Sequence, residues 1–401
     1  MGDKPGLSTS LIHHPYEPPP GFAAPQVGVH KASTVLFESA AALRARTWKD
    51  KTGYTYGLHG TPTTFTLEAR VATLEGGGQT LLVPSGLAAI TCVDAAMLRS
   101  GNEVLIPENA YGPSREFARV ELAAWGISHR LYDPSDPRHL ADAITPATRL
   151  VWLEAPGSIT MEFPDLPGLL RVAKSRGVVC AIDNTWGAGV AFNAFDVGGE
   201  HPALGAEIVV QALTKYPSGG GDVLMGAITT RDPSLHQRLK ATHMRMGWGV
   251  GANDAELVLR SLPSLALRYD AQDASARFLA RWFAQQRQVQ RVLHPALSGS
   301  PGHEHWRKLA QKAAGLFSVL FDARYTSSQV DAFVDALQLF KPGYSWAGPN
   351  SLVVPYDLAV IRPKSGWKGC LLRFSIGLEE KEDLLADLEA SLDTRLAVIS
   401  D

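Results

Sequence analysis

Four residue types at the ends of apolar runs are the ones in this chain best placed to do chemistry. The stretch IVVQALTKYPSGGGDVLMG is an apolar strand that runs straight into Thr214, Lys215 and Tyr216, then a glycine-rich loop, then a second strand. A lysine at a buried strand end is costly to keep charged. Burial depresses its pKa, and the neutral amine can form a Schiff base with an aldehyde. Taken alone, Lys215 reads equally well as a side chain snorkelling to water. The stretch VVCAIDNTWGAG is another apolar strand, ending in Asp183. Taken alone that aspartate is a turn or helix cap; it is also the residue type that keeps a heteroaromatic ring nitrogen protonated. The segment VPSGLAA passes from strand to helix through Gly86, and the amides of Gly86 and Leu87 at such a start can bind phosphate. Many αβ units carry a glycine there, so the signal is weak by itself. Tyr111, in NAYGP, has the ring to stack on a flat ligand, although a core or surface tyrosine is the plainer reading.

Elements that hold these residues are legible as a repeating pattern. Apolar strand-like runs occur at 80–83, 103–106, 150–153, 178–182, 208–212 and 224–229, with helix-like segments at 87–98, 114–124 and 166–175. Strands apolar along their whole length and separated by helices indicate an α/β domain with a mostly parallel sheet. In such sheets the exits of parallel strands share one edge, and ligands bind there. Three regions are expected: an arm over 1–64, rich in proline between 15 and 25; the α/β domain over 65–254; and a smaller α+β domain over 255–401. Within the last, 254–261, 269–288, 328–337 and 380–392 have helical periodicity, with Ser328 as the N-cap of the third. The arm cannot hold a core alone and is expected to lie across another domain or subunit.

A phosphate nest, a stacking aromatic, an acid for a ring nitrogen and a Schiff-base lysine, on successive strands, are together what pyridoxal 5′-phosphate requires. Through nearly its whole length the chain resembles the Cys/Met-metabolism family of fold-type I pyridoxal-phosphate enzymes. The resemblance is carried by YTYGLHGTPTTFTLEARVATLEGG, IDNTWGAGVAF, QALTKY, VLHPALSGSPGHEHW and LLRFSIGLEEKEDLLADLE. EAPGSITME and YSWAG point to the cystathionine β-lyase branch. The resemblance implies β-elimination of L-cystathionine to homocysteine, pyruvate and ammonia, with cystine or another cysteine thioether as the alternative substrate. It implies Lys215 as the cofactor lysine, Asp183 on the ring nitrogen and Tyr111 on the ring. Gly86, Leu87 and Thr214 would hold the phosphate, with Tyr56 reaching a neighbouring subunit's phosphate. Arg373 would clamp the substrate α-carboxylate, and Tyr344, Ser345 and Trp346 would line the substrate pocket. It also implies a large domain whose mostly parallel sheet has seven strands, and a homotetramer built from catalytic dimers. Departures from the family pattern are Leu58 and Ala212 in place of an arginine and a serine, Gly219–Gly221 after the lysine, and His59 in place of a second arginine. The first two weaken the expected phosphate grip, and the triple glycine could add amides. A chain that has lost its cofactor is the reading of another class; the intact Lys215, Asp183, Tyr111 and Arg373 stand against it.

Composition excludes other classes. The 401 residues carry 38 basic and 40 acidic side chains, a formal charge of −2, which gives no pull toward nucleic acid or anionic membrane. No apolar run is long enough to span a bilayer, and no signal-peptide core opens the chain. Cys92, Cys180 and Cys370 have no C-x-x-C partner and read as small buried thiols in a reducing cytoplasm. His294, His303, Glu304 and His305 resemble a metal cluster, with His303 and His305 able to share a strand face; surface histidines are the preferred reading, and no metal is expected.

Overall fold

A computed structural model describes residues 5–198, 204–363 and 366–396. The expected arm's residues 1–4 and the chain's 397–401 lie outside them. Seven strands form the large sheet: β1 (Gln79–Val83), β2 (Glu103–Pro107), β3 (Ser128–Tyr132), β4 (Thr148–Glu154), β5 (Val179–Asp183), β6 (Ile208–Ala212) and β7 (Gly226–Thr230). Their order is β1-β7-β6-β5-β4-β2-β3. Strand β7 runs antiparallel to both of its neighbours, and the other pairings are parallel. The mostly parallel sheet is therefore as the sequence implies.

Period-2 alternation explains why the strands read as unbroken apolar runs. Leu82, Leu105, Val151, Ile182 and Val209 enter one core, with Leu67 and Leu169 of the helices Pro62–Glu75 and Leu166–Ser175. Their strand neighbours Val83, Ile106, Leu150, Ala181 and Val210 enter a second core, with Val93 and Leu239 of the helices Gly86–Met97 and Pro233–Met246. Both faces are covered, so both sets must be apolar.

A second sheet has the order β10-β11-β12-β9-β8, from β8 (Val289–Leu293), β9 (Leu316–Phe321), β10 (Lys341–Pro342), β11 (Leu352–Asp357) and β12 (Cys370–Ser375). An aromatic core backs it; the Phe317 and Phe374 rings stack with centroids 5.3 Å apart. The helix Lys381–Arg395 closes this core with Leu384, Leu388 and Leu392.

Several local expectations need correction. Strand β3 was not anticipated: four of its five residues are at least partly exposed, so it carries no apolar run. The helix expected at 328–337 is Ser327–Ala336, and its N-cap is Thr326, in a reciprocal capping box with Gln329. Ser328 is a helical residue. His303 and His305 sit on the helix Gly302 precedes, His303–Leu309, where residues two apart do not share a face. Among the described residues no group of side chains could hold a metal ion. Cys92 and Cys180 are buried, but Cys370 is half-buried. The arm is partly anchored on its own chain: its helix Leu7–Ile12 packs on Pro62–Glu75 and Leu265–Phe283, with Leu11 fully buried. No helix among the described residues is long and apolar enough to cross a membrane.

Candidate active site

The C-terminal exits of β4, β5 and β6 and the loop joining β10 to β11 enclose a cavity of about 580 Å³. Gly86, Leu87, Tyr111, Asp183, Thr214, Lys215, Tyr344, Ser345, Trp346 and Arg373 all line it. Tyr56 does not. It is 46 % exposed, on a bridge to Thr34, with its ring edge-on to His59 6.0 Å away.

Parallel register brings the acid and the amine together. Asp183 lies opposite Val210 on β6, and Lys215 follows five residues on. Thr185 ties the two exits: its N–H and hydroxyl donate to Asp183 Oδ1 at 3.0 and 2.5 Å, and its oxygen accepts the Ala212 N–H at 2.9 Å. Burial raises the Asp183 pKa, against the two Thr185 bonds and the charge of Lys215. Burial lowers the Lys215 amine to about 8; the Arg373 charge pushes the same way, and Asp183 opposes both. Lys215 Nζ donates to Ser345 Oγ at 2.5 Å and lies 5.4 Å from the centre of the Trp346 ring. Ser345 has φ +88° and Ala347 φ +65°, conformations that disfavour a Cβ. Backbone of this kind persists where surrounding structure holds it, often at functional sites. Here Trp346 is held edge-on against the buried Tyr216 ring, 5.6 Å away.

The helix start is built by close approach. A Cβ on Gly86 would stand 2.6 Å from the Ala212 Cβ. Only glycine lets the chain enter the helix Gly86–Met97 so near β6. Ser85 caps it by accepting the Ala88 N–H at 3.0 Å, while the Gly86 and Leu87 amides precede any intrahelical acceptor. Thr214 Oγ1 bonds Met225 at the start of the returning strand, donating to its carbonyl and accepting its N–H. Of the three glycines after the lysine, Gly219 serves packing: a Cβ there (φ +65°) would lie 1.9 Å from Arg268 Nη1, which donates to the Tyr216 carbonyl. None of the three lines the cavity.

Arg373, in the middle of β12, is buried, yet its Nε has no partner. Nη2 reaches the Ser345 carbonyl at 3.3 Å, and the Tyr356 ring centre is 5.5 Å from the guanidinium carbon. Three residues escaped the sequence reading. Thr185 is one. Tyr356 shares the Arg373 face of the second sheet, two residues along from Val354, its register partner. Glu154 ends β4 directly beside Asp183 and accepts the Tyr111 N–H at 2.8 Å. Burial and the neighbouring Asp183 push Glu154 up to about 8. Glu154 could have been found by the argument that found Asp183, an acid closing an apolar strand.

This set fits pyridoxal phosphate, a flat aldehyde with a ring nitrogen and a phosphate. An amine of lowered pKa, a buried acid, free helix-start amides and the Tyr111 side chain line one cavity, with a buried guanidinium whose Nε has no partner. Residues 8–393 match the family described as Cys/Met metabolism PLP-dependent enzyme. Cystathionine beta-lyase MetC of Escherichia coli is 34 % identical over 97 % of this chain and 98 % of its own. An L-alanine/L-glutamate racemase of Wolbachia pipientis is 33 % identical over 84 % of this chain and 82 % of its own. The crystal structure of cystathionine gamma synthase from Xanthomonas oryzae pv. oryzae, in complex with aminoacrylate and cysteine, superposes with a TM-score of 0.89 at 28 % identity, covering 99 % of this chain and 100 % of that one. With its strand-exit lysine, its sheet order and its full-length match, the chain belongs to the Cys/Met metabolism family of pyridoxal-phosphate-dependent enzymes.

Proposed function

We propose that this enzyme eliminates the β-substituent of a cysteine thioether, L-cystathionine first among them, to homocysteine, pyruvate and ammonia. One observation carries the reading: the Lys215 amine, the Asp183 carboxyl and the unsaturated Arg373 guanidinium line a single cavity. Bound pyridoxal phosphate supplies the electron sink that makes a Cα proton removable. Asp183 holds a proton at the ring nitrogen, which sustains that sink. Arg373 takes the α-carboxylate through charge-assisted hydrogen bonds and so presents the Cα–H bond to Lys215. The Lys215 amine, near pKa 8, removes the Cα proton and can return it to the departing sulfur. Ser345 fixes the direction of that amine. Tyr111 covers the ring, its backbone pinned by Glu154. Gly86, Leu87 and Thr214 hold the phosphate.

Tyr56, remote from its own chain's cavity, is read as completing a neighbour's site, in a homotetramer of catalytic dimers. A cytoplasmic setting is supported by the three free cysteines. The test is spectroscopic and then chemical. The purified protein should be yellow, and L-cystathionine should yield free thiol and pyruvate in equal amounts. Colour without either product would overturn the β-elimination reading and leave the cofactor in place.

A further inference from the structure

The loop joining β10 to β11 carries Ser345 to the Lys215 amine, and it does so in a costly shape. Ser345 (φ +88°) and Ala347 (φ +65°) are both non-glycine residues in left-handed backbone, a conformation that persists only where surrounding structure imposes it. Both ends of the loop are fastened. The Gly343 N–H donates to the Val353 carbonyl at 3.3 Å, and the Leu378 N–H to the Pro349 carbonyl at 2.8 Å. Between them, over 344–348, only two backbone groups have hydrogen-bond partners among the described residues. The Ser345 carbonyl accepts from Arg373 Nη2 at 3.3 Å. The Gly348 carbonyl accepts from Gln272 Nε2 at 2.9 Å. Under the proposed function Arg373 serves the substrate carboxylate, so the Gln272 bond is the hold for which no ligand competes.

Gln272 sits in the middle of the helix Leu265–Phe283, is 1 % exposed and does not line the reaction cavity. It is a costly choice for that place. Its Oε1 is sealed from water and has no donor; an apolar side chain of the same length would avoid that penalty. Turning the amide over gives no relief, because Oε1 would then face the Gly348 carbonyl oxygen. The surroundings tie this amide to the lysine's own segment. A Cβ on Gly315 would stand 2.9 Å from the Gln272 Cβ, and the Gly315 N–H donates to the Tyr216 hydroxyl at 2.7 Å. Tyr216 follows the lysine, and its ring backs Trp346. A Cβ on Gly348 would lie 3.6 Å from Gly221 Cα in the glycine loop. The strained loop therefore meets both Gln272 and the segment 216–221.

We propose that Gln272 is a positioning residue: by holding the Gly348 carbonyl it keeps the loop in the strained shape that presents Ser345 Oγ to the Lys215 amine. It acts through Ser345 and touches no reacting group. Its effect on rate rests on the proposed function; its hold on the loop does not.

Gln272→Met keeps the length of the side chain and removes the donor. Pyruvate formation from L-cystathionine is compared across wild type, Gln272→Met, Ser345→Ala and the double variant. In Gln272→Met, kcat should fall about 10-fold, the share of one hydrogen bond, with KM changed by less than about threefold. In the Ser345→Ala background the same substitution should change kcat by less than about twofold, because its effect runs through the absent hydroxyl. Crystal structures of wild type and Gln272→Met, as purified and in one crystal form, give a reading independent of turnover. Ser345 should leave positive φ, and the Trp346 ring should move off Tyr216. Gln272→Asn, whose amide falls one methylene short of Gly348, replaces the Met variant if urea unfolding shows that one to be unfolded. An unchanged kcat in Gln272→Met overturns the proposal. So does a loss as large without the Ser345 hydroxyl as with it, the mark of a general packing defect, and so does an unmoved loop. Wild type that makes no pyruvate from L-cystathionine overturns the proposed reaction, and the crystal structures still decide whether Gln272 holds the loop.

Discussion

Arg362 and Arg373 are equally buried, each 8 % exposed, and they do opposite things. Arg362 is saturated. Its Nε donates to the Thr160 hydroxyl at 3.1 Å and Nη1 to the Ile361 carbonyl at 2.8 Å, while Nη2 reaches the carbonyls of Asn109 and Ser158. Arg373 has one long bond, an aromatic face and an idle Nε. Neither has a carboxylate partner among the described residues. The contrast teaches that burial alone does not mark a functional charge. A buried guanidinium whose donors are all used is a staple between chain segments; one whose donors are idle is, under the proposed function, a receptor whose missing acceptor is the substrate carboxylate.

The largest expected effect lies on the receptor side. Lys215→Ala should lower pyruvate formation from L-cystathionine by about 10⁴-fold. Its urea midpoint should not fall, because the replaced amine is one that burial disfavours. Next is the staple: Arg362→Leu removes bonds to three carbonyls and a hydroxyl, and should destabilise the fold by about 3 kcal/mol, read from urea unfolding. Arg373→Leu is the matched substitution. It should raise KM for L-cystathionine by about 10- to 100-fold, with stability kept or raised, since an unsatisfied buried charge is removed. If Arg373→Leu unfolds the chain as readily as Arg362→Leu, the distinction between receptor and staple is wrong.

The smallest effect is a slope. Glu154 and Glu75, pushed up to about 8, and Asp94, to about 7, are raised chiefly by burial. Between their unfolded values and these, the folded chain binds more protons than the unfolded one. Their stabilising share is therefore full below about pH 4.5 and is lost as pH rises toward 8. Each group contributes at most about 1.4 kcal/mol per pH unit. Glu154→Gln keeps an acceptor for the Tyr111 N–H but cannot ionise. Urea unfolding from pH 5 to 8 should show a shallower decline for it, and an unchanged slope would mean that Glu154 stays charged.

Much of the reaction cavity was legible because its residues close apolar strands: Asp183 ends β5, and Lys215 lies just past β6. Gly86 could be read as a helix start, but not its reason, the approach of Ala212, which lies far along the chain. Glu154 was passed over as an unremarked letter within a recognised segment. Strand β3 was missed because an edge strand with exposed residues lacks the apolar run that reveals buried ones. The histidines of the HEH segment misled because spacing does not say whether the backbone is strand or helix.

By itself the sequence determined the order of the buried elements, the mostly parallel sheet and the residue types at its exits. These follow from local periodicity and from the rule that parallel strands share an exit edge. Only the tertiary structure separated Arg373 from Arg362. Both are arginines in the C-terminal part of the chain, and what distinguishes them is whether acceptors arrive. For Arg362 all but the neighbouring Ile361 carbonyl come from 202 to 253 residues away. Hydrogen-bond saturation is a property of packing across such distances, and no local pattern encodes it.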